Sequence, residues 1–432
     1  MQTICKTQPF LPNPHQIAVV PSRKDSLCGR IMRVSMFQMA AAYDGWLERL
    51  AFKWRWNQLH QVKCCSEQGR YNPVRCRDSD RILSELGGEK FSVIPRDKEA
   101  RINGIYFDPT VIKKKIAALG GSWGKIEHDG KSHFAIRPPK VKTQEWKKNA
   151  DKVLLQMYWK PASWDKDLII TAEDVGNALP LGENNKCVLI IDVTVPAPMQ
   201  RREIGKFIGL GCHVAISNAR GIVIDPKEIK PQTGVITEAA CYEDLGCVME
   251  FLHTEKGIAK SQVILRGNCL NAAIAVHLVA KYAKNGINAF LDNVPLSPRE
   301  ILEGYPKLLK FYDSYIGATK SLPASPLRQL GIRENGFDAM ATIQDMPVFP
   351  ACASKVLFVG TKGDIATPPE KVKHVFHQLS RKLPFNCKYF CQDLSQIPNG
   401  ENLNAHMASS IRNPQVQEIF LKHFGLCSSN QT

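Results

Sequence analysis

The chain has 432 residues, 44% hydrophobic and 23% charged, which is enough to bury a large core and excludes a disordered or low-complexity protein. Lysine and arginine outnumber the acidic residues to a net charge of +16, which favours an anionic partner (acidic lipid, nucleic acid or an acidic protein) or else describes a solvated basic surface. The 14 cysteines include no C-x-x-C pair, which excludes zinc-finger spacing and argues for reduced thiols in a cytosol-like compartment.

Residues 1–28 read as a loose leader in which Pro9, Pro12 and Pro14 interrupt any apolar stretch, so no secretory signal peptide is expected. No run of about 18 apolar residues occurs, so no membrane-spanning helix is expected either. From Cys28 to Cys64 the pattern turns helical. Met32, Met36, Met39, Trp46, Leu50 and Trp54 recur near helical spacing, with Arg30, Arg33, Arg49, Lys53 and Arg55 between them. Such a basic amphipathic stretch either lies on an anionic membrane surface or docks its apolar stripe on its own domain. Residues 1–85 are therefore expected to form a basic helical N-terminal extension.

A main domain is expected over residues 86–427. Phe91–Ile94 and Arg101–Phe107 are strand candidates joined by a charged turn. Residues 108–186 form an irregular insertion with a helix near Val111–Ala118, extended pieces and a basic helix near Gln144–Tyr158. Its Gly120-Gly121-Ser122-Trp123-Gly124-Lys125 is no phosphate loop, because Leu119 stands where the first glycine is required.

From Lys186 onward strand and helix alternate. Strands are expected at Cys187–Ile191, His213–Ser217, Gln262–Arg266, Ile287–Leu291, Lys355–Val359 and Cys387–Cys391. Helices are expected at Gln200–Leu210, Glu238–Leu252, Leu270–Ala283, Pro298–Tyr315, Pro368–Leu383 and Val416–Phe424. Continuous apolar strands alternating with helices indicate an α/β fold, a mostly parallel sheet with helices on both faces.

The segment that carries chemistry is Val263-Ile-Leu-Arg-Gly267-Asn268-Cys269-Leu270-Asn271-Ala272-Ala273. A strand ends in glycine, a nucleophile-capable side chain follows two residues later, and a helix of small residues begins at once. That is the pattern of a nucleophile elbow, in which a tight turn lifts the nucleophile above the sheet edge. Leu270 opens the helix, so its N–H points where an oxyanion would form. Two further segments follow in chain order. In Lys355-Val-Leu-Phe-Val-Gly360-Thr-Lys-Gly-Asp364-Ile-Ala-Thr-Pro368-Pro369-Glu370 a strand ends in glycine, an aspartate follows, and Pro-Pro-Glu opens a helix. Asn402-Leu-Asn404-Ala-His406-Met407 places a histidine in a late loop, whereas His374, His377 and His423 fall on helices.

These segments resemble the α/β-hydrolase superfamily, whose triad runs nucleophile, acid, base along the chain. The cysteine-type elbow is similar to that of dienelactone hydrolase. Val214-Ala-Ile-Ser-Asn218-Ala-Arg220-Gly221 and Asn335-Gly-Phe-Asp338-Ala-Met-Ala extend the likeness, which is nearest to α/β-hydrolase-like proteins of intracellular bacteria and covers roughly residues 90–425. The resemblance implies an α/β-hydrolase-type fold with Cys269, Asp364 and His406 as catalytic residues. The oxyanion hole would be made by Leu270 together with Thr194 or Val195. The sequence departs from the family pattern in three places. Cysteine replaces the usual serine, Asn271 replaces the second glycine, and Asp192-Val-Thr194-Val195-Pro-Ala-Pro198 lacks the glycines usual in the oxyanion loop.

The implied activity is hydrolysis or transfer of an ester, thioester or related acyl bond, with an acyl-bearing small molecule or lipid as substrate. No metal and no organic cofactor are implied, and no nucleic-acid module is recognised. A catalytically inactive scaffold that binds a protein or membrane partner is the alternative. In either case the chain would act in the cytoplasm or be delivered to a host cell as an effector without a signal peptide.

Overall fold

The computed structural model describes residues 3–4, 87–96, 101–118, 122–128, 131–137, 168–169, 185–192, 200–218, 238–297, 337–384, 386–396, 405–406 and 409–426. The expected helices at 28–64, 144–158 and 298–315 lie outside these residues, as do Thr194 and Val195.

The described strands are β1 (Thr3–Ile4), β2 (Glu89–Ile94), β3 (Ile102–Phe107), β4 (Ser122–His128), β5 (Lys131–Arg137), β6 (Leu168–Ile169), β7 (Cys187–Ile190), β8 (His213–Ser217), β9 (Val263–Asn268), β10 (Asn288–Asp292), β11 (Val356–Thr361) and β12 (Cys387–Gln392). The α-helices are α1 (Pro109–Ala118), α2 (Arg201–Gly209), α3 (Glu238–Thr254), α4 (Leu270–Tyr282), α5 (Ala339–Asp345), α6 (Pro369–Lys382) and α7 (Pro414–Phe424). The main sheet has the order β1-β2-β3-β8-β7-β9-β10-β11-β12. It is parallel from β8 through β12, with β3 antiparallel to both of its neighbours.

The central strands read as unbroken apolar runs because both of their faces are covered. Along β9, Val263 and Leu265 join the core layer shared with α3, α4, α5 and α6, while Ile264 joins the layer packed with α2 and α7. The same alternation divides Ala289 and Leu291 from Phe290, and Val356 and Phe358 from Leu357 and Val359. This is the two-residue period of a pleated strand placed between two helical layers.

Helix ends follow local chemistry. Proline at the first turn and Glu370 near it open α6, which closes on Arg381 and Lys382. The Asn413 side chain accepts from Gln415 N–H at the start of α7, and Gly425 takes a left-handed φ of 70° at its end. That cap starts α7 two residues before the position that apolar periodicity alone marks.

Thr3–Ile4, expected in a loose leader outside the main domain, instead form β1 and pair with β2 at the edge of the main sheet. Three further features differ from expectation. Strand β9 extends through Asn268 because Gly267 and Asn268 still pair with Leu291 and Asp292. The insertion is more regular than its sequence suggested: β4 and β5 pair antiparallel from Ser122 opposite Arg137 to His128 opposite Lys131, and β6 joins them in a separate sheet. Finally, α5 was not anticipated. Its cap is Asp338, whose side chain accepts from Ala341 N–H at 2.8 Å. Among the described residues no helix is long and apolar enough to cross a membrane.

Candidate active site

Parallel strands deliver their C-terminal ends to one edge of the sheet, and three sequence-marked residues meet there. Cys269 occupies the turn between β9 and α4 with φ 54° and ψ −123°. A side-chain-bearing residue at positive φ with this ψ is strained, at a cost on the order of 1–3 kcal/mol. The surroundings hold it there. Cys269 N–H donates to the Asp292 carbonyl at 3.0 Å, and its own carbonyl accepts from Ala272 and Ala273 N–H at 2.9 and 3.3 Å.

The turn is so tight that a Cβ at position 267 would lie 2.5 Å from the Asn271 carbonyl oxygen and 2.7 Å from the Ala272 Cα. This is why glycine is needed at 267, whereas Asn271, the departure from the family pattern, is accommodated as a buried helical residue. Gly267→Ala should therefore destabilise the protein by about 1–3 kcal/mol through overpacking against backbone, read as a lowered urea midpoint at unchanged slope.

Asp364 lies past the end of β11, and its side chain is fully buried. One carboxylate oxygen accepts from Ala366 and Thr367 N–H at 2.9 and 3.0 Å, and the other accepts from Thr367 Oγ1 at 2.6 Å. His406 Nδ1 is 3.0 Å from Asp364 Oδ2 and 3.2 Å from Oδ1. Cys269 acts on the same imidazole and helps to raise its pKa. The structure thus bonds His406 to Asp364 and brings Cys269 close enough to influence the same imidazole.

The charges are mutually stabilised. Burial works against the imidazolium, but the bond with Asp364, followed by the influence of Cys269, outweighs it and pushes the His406 pKa up to about 10. Burial pulls the Asp364 carboxyl the other way, yet hydrogen bonds from His406 and Thr367 keep it below the usual carboxylate value. His374 and His377 fall on α6 and His423 on α7, so none competes for the loop position. Leu270 is the first residue of α4. Among the described residues no histidine, cysteine or acidic cluster could hold a metal ion.

The sequence reading missed the groups that hold this arrangement. Thr367, fully buried, binds the same carboxylate oxygen as His406, with its hydroxyl 3.4 Å from His406 Nδ1. Asn268 Nδ2 lies 3.5 Å from the His406 carbonyl oxygen, and Asn293 Nδ2 lies 3.4 Å from those of Ala405 and His406. Deeper, Arg266 on β9 is 1% exposed and Asp292 at the end of β10 is 0% exposed. Burial opposes the guanidinium charge, but Asp292 and Glu203 outweigh it and raise the Arg266 pKa further. A charged residue inside an apolar strand was the available signal, because a buried charge demands a partner.

At the opposite edge of the sheet, a cleft of about 440 Å³ is lined by Tyr106, Asp108, His213 and Lys256 among others. Its polar groups pair with one another, Tyr106 Oη with His213 Nδ1 at 2.7 Å and Lys256 with Glu89 at 2.6 Å.

A strained cysteine on a strand-to-helix turn, followed in the chain by an aspartate loop and then a histidine loop, all at the C-terminal edge of a mostly parallel sheet, decides the architecture. The fold is that of the α/β-hydrolases. Among solved structures the chain is similar to an α/β-hydrolase from Vibrio vulnificus, at 14% identity and a TM-score of 0.47, over 87% of this chain and 93% of that one. It is also similar to the Pyrococcus furiosus esterase Pf2001, at 10% identity and a TM-score of 0.43, over 79% and 91% of the two chains. A soluble variant of Saccharomyces cerevisiae monoglyceride lipase aligns at 14% identity and a TM-score of 0.39, over 59% and 91%. No protein-family model and no curated protein matches the chain.

Proposed function

We propose that this chain hydrolyses or transfers acyl groups through a Cys269–His406–Asp364 triad. The observation that carries the reading is the position of Cys269, held at φ 54° at the strand-to-helix turn, beside a His406 that is bonded to Asp364. Strain of this kind persists only where the surrounding structure enforces it.

In the mechanism, His406 already holds the proton in the resting pair, in keeping with its pKa of about 10, and Cys269 attacks the carbonyl carbon of an ester or thioester as the thiolate. The carbonyl π pair moves to oxygen, where Leu270 N–H, assisted by the Thr194–Val195 segment, stabilises the oxyanion. Collapse expels the leaving group, which takes the proton from His406, and leaves a thioacyl-enzyme. Water then attacks with His406 as base and Cys269 departs as the thiolate. An alcohol or amine in place of water gives transfer. Asp364 accepts the imidazole N–H throughout and fixes its tautomer.

The test is to incubate the protein with p-nitrophenyl butyrate, quench in acid and read the intact mass. A butyryl adduct that maps to the peptide containing Cys269, and that decays as butyrate appears, is the expected result. Release of nitrophenolate no faster than in buffer, with no adduct, would favour the scaffold reading.

The net charge of +16 supports an anionic surface as a second partner, engaged through residues 1–85. The chain should co-sediment with phosphatidylserine vesicles at low salt, and binding should be lost when residues 1–65 are removed. Absence of sedimentation in 20–50 mM salt, where the electrostatic screening length is roughly 15–20 Å, would rule this out.

A further inference from the structure

The buried charges beneath the triad remain unexplained by the chemistry above. Arg266 lies three residues before Cys269, and every polar contact of its guanidinium goes toward one of the two catalytic segments or their support. One NH group donates to the carbonyl of Gly267, the elbow glycine, at 2.9 Å. The other donates to Asp292 and lies 3.5 Å from Ser409 Oγ. Nε donates to Glu203 on α2 at 2.6 Å, and Ser409 Oγ reaches that same carboxylate oxygen at 3.3 Å. The guanidinium carbon rests 4.5 Å from the centre of the Phe290 ring.

Asp292 faces both halves of the site at once. Its backbone carbonyl accepts the N–H of Cys269 at 3.0 Å. Its carboxylate accepts the N–H of Ser410 at 3.0 Å together with the Ser410 hydroxyl. Ser409 and Ser410 follow His406 by three and four residues, so this carboxylate anchors the chain that carries the base. The elbow and the histidine loop are thereby hydrogen-bonded to one buried pair.

We infer that Arg266 and Asp292 form a registering device, a pair of positioning residues that fixes the histidine loop against the nucleophile elbow. The inference rests on the proposed triad and adds what sets its geometry. Two physical arguments support it. A buried ion pair is a poor way to gain stability, since apolar residues of similar volume usually do as well or better, and its best-attested use is to fix register. A strand-borne carboxylate is also a more precise anchor than contacts within a loop, and misplacing a catalytic group by about 1 Å can cost on the order of 100-fold in rate.

The same logic gives the test. A lone Asp292→Ala change would leave the Arg266 charge buried and uncompensated, so the pair is replaced together, as Arg266→Met with Asp292→Leu. Ser410→Ala is made separately to remove only one hydroxyl contact. Each variant is measured for its urea midpoint, for the iodoacetamide labelling rate of Cys269, and for the titration of His406 followed by NMR of ¹³C-labelled histidine. The double variant should fold with a midpoint at or above that of wild type, yet label at least 10-fold more slowly and lose the His406 titration near pH 10. Ser410→Ala should fold normally and label several-fold more slowly.

A folded double variant, or a folded Ser410→Ala, with wild-type labelling and wild-type His406 titration would overturn the registering role. If the double variant does not fold, the Ser410→Ala result decides alone. Failure of the triad reading itself looks different. There, wild-type Cys269 would label no faster than in His406→Ala, while the His406 titration would still report whether the loop stays in place.

Discussion

A Cys269→Ala variant is expected to lose acyl-ester turnover by about 10⁴-fold or more, down to the buffer rate, while folding normally. In the proposed mechanism Cys269 supplies the attacking sulfur, and alanine removes it without adding volume or charge. It also leaves the positive φ, so the strain of the turn is retained and stability should change by little. His406→Ala should fall to nearly the same floor, because without the imidazole the thiol has no positioned base and the leaving group no proton donor. The informative variant is the double one. If sulfur and imidazole act as a unit, Cys269→Ala with His406→Ala should be no slower than either alone, since each single change already removes the whole step. Losses that multiply would mean that the two groups contribute independently, which contradicts a shared proton. Cys269→Ser keeps a nucleophile in the same turn and should lie between wild type and alanine. The measurement is initial-rate hydrolysis of p-nitrophenyl butyrate, with active protein counted by circular dichroism and urea midpoint.

Much of this site was legible before any coordinates because its parts are local. The runs from Cys187, Val263, Ile287 and Lys355 are apolar on both faces, and only a strand covered on two sides requires that. Gly267 and Cys269 stand two apart at a strand end, and Asp364 and His406 follow in the family's order. What was not legible is mostly non-local. Arg266, Asp292 and Glu203 come from three separate segments, and Ser409 and Ser410 from a fourth, so no spacing rule could join them. Thr367 carried no signal in the sequence, yet its hydroxyl donates to the Asp364 carboxylate from inside the same loop. Helix α5 spans seven residues, too few for apolar periodicity to register. The β4–β5 pairing did have a local signal that went unread. Asp129-Gly130 lies between the paired ends His128 and Lys131, and this dipeptide is favoured in two-residue hairpin loops. Asn271 was read as a departure from the pattern, but the steric demand of the turn falls on the Cβ of residue 267 instead.

An Asp364→Asn variant should give the second large effect and fix its sign. Asparagine is nearly the same size and can still accept from Ala366 and Thr367 N–H, so the acid loop should survive. The charge that supports the imidazolium is lost, however, and an amide N–H can now face His406 Nδ1 and select the wrong tautomer. Turnover should fall by about 10³- to 10⁴-fold with little change in substrate binding. In wild type, His406 should titrate at about 10, since its bond with Asp364 and the influence of Cys269 overcome the effect of burial. In the variant burial and Cys269 remain while the leading favourable contribution is gone, so the titration should move down by at least one unit.

The stability difference between the two proteins then follows from linkage. For His406 the folded value lies above the ordinary 6.5, so its contribution is fully present below pH 6.5 and is lost as pH rises through about 10. For Asp364 the folded value lies below 3.8, so its contribution is present above pH 3.8 and is lost as pH falls through that lower value. Wild type should therefore exceed Asp364→Asn in stability by a constant amount from about pH 4 up to the variant's own, lower His406 pKa. The gap should shrink from that pH toward pH 10 and also close in strong acid. Urea midpoints at pH 5, 8 and 10.5 measure this directly. A gap that widens as pH rises from 6.5 would mean that His406 is neutral beside Asp364 in the folded protein, and the ion pair that holds the base in place would have to be abandoned.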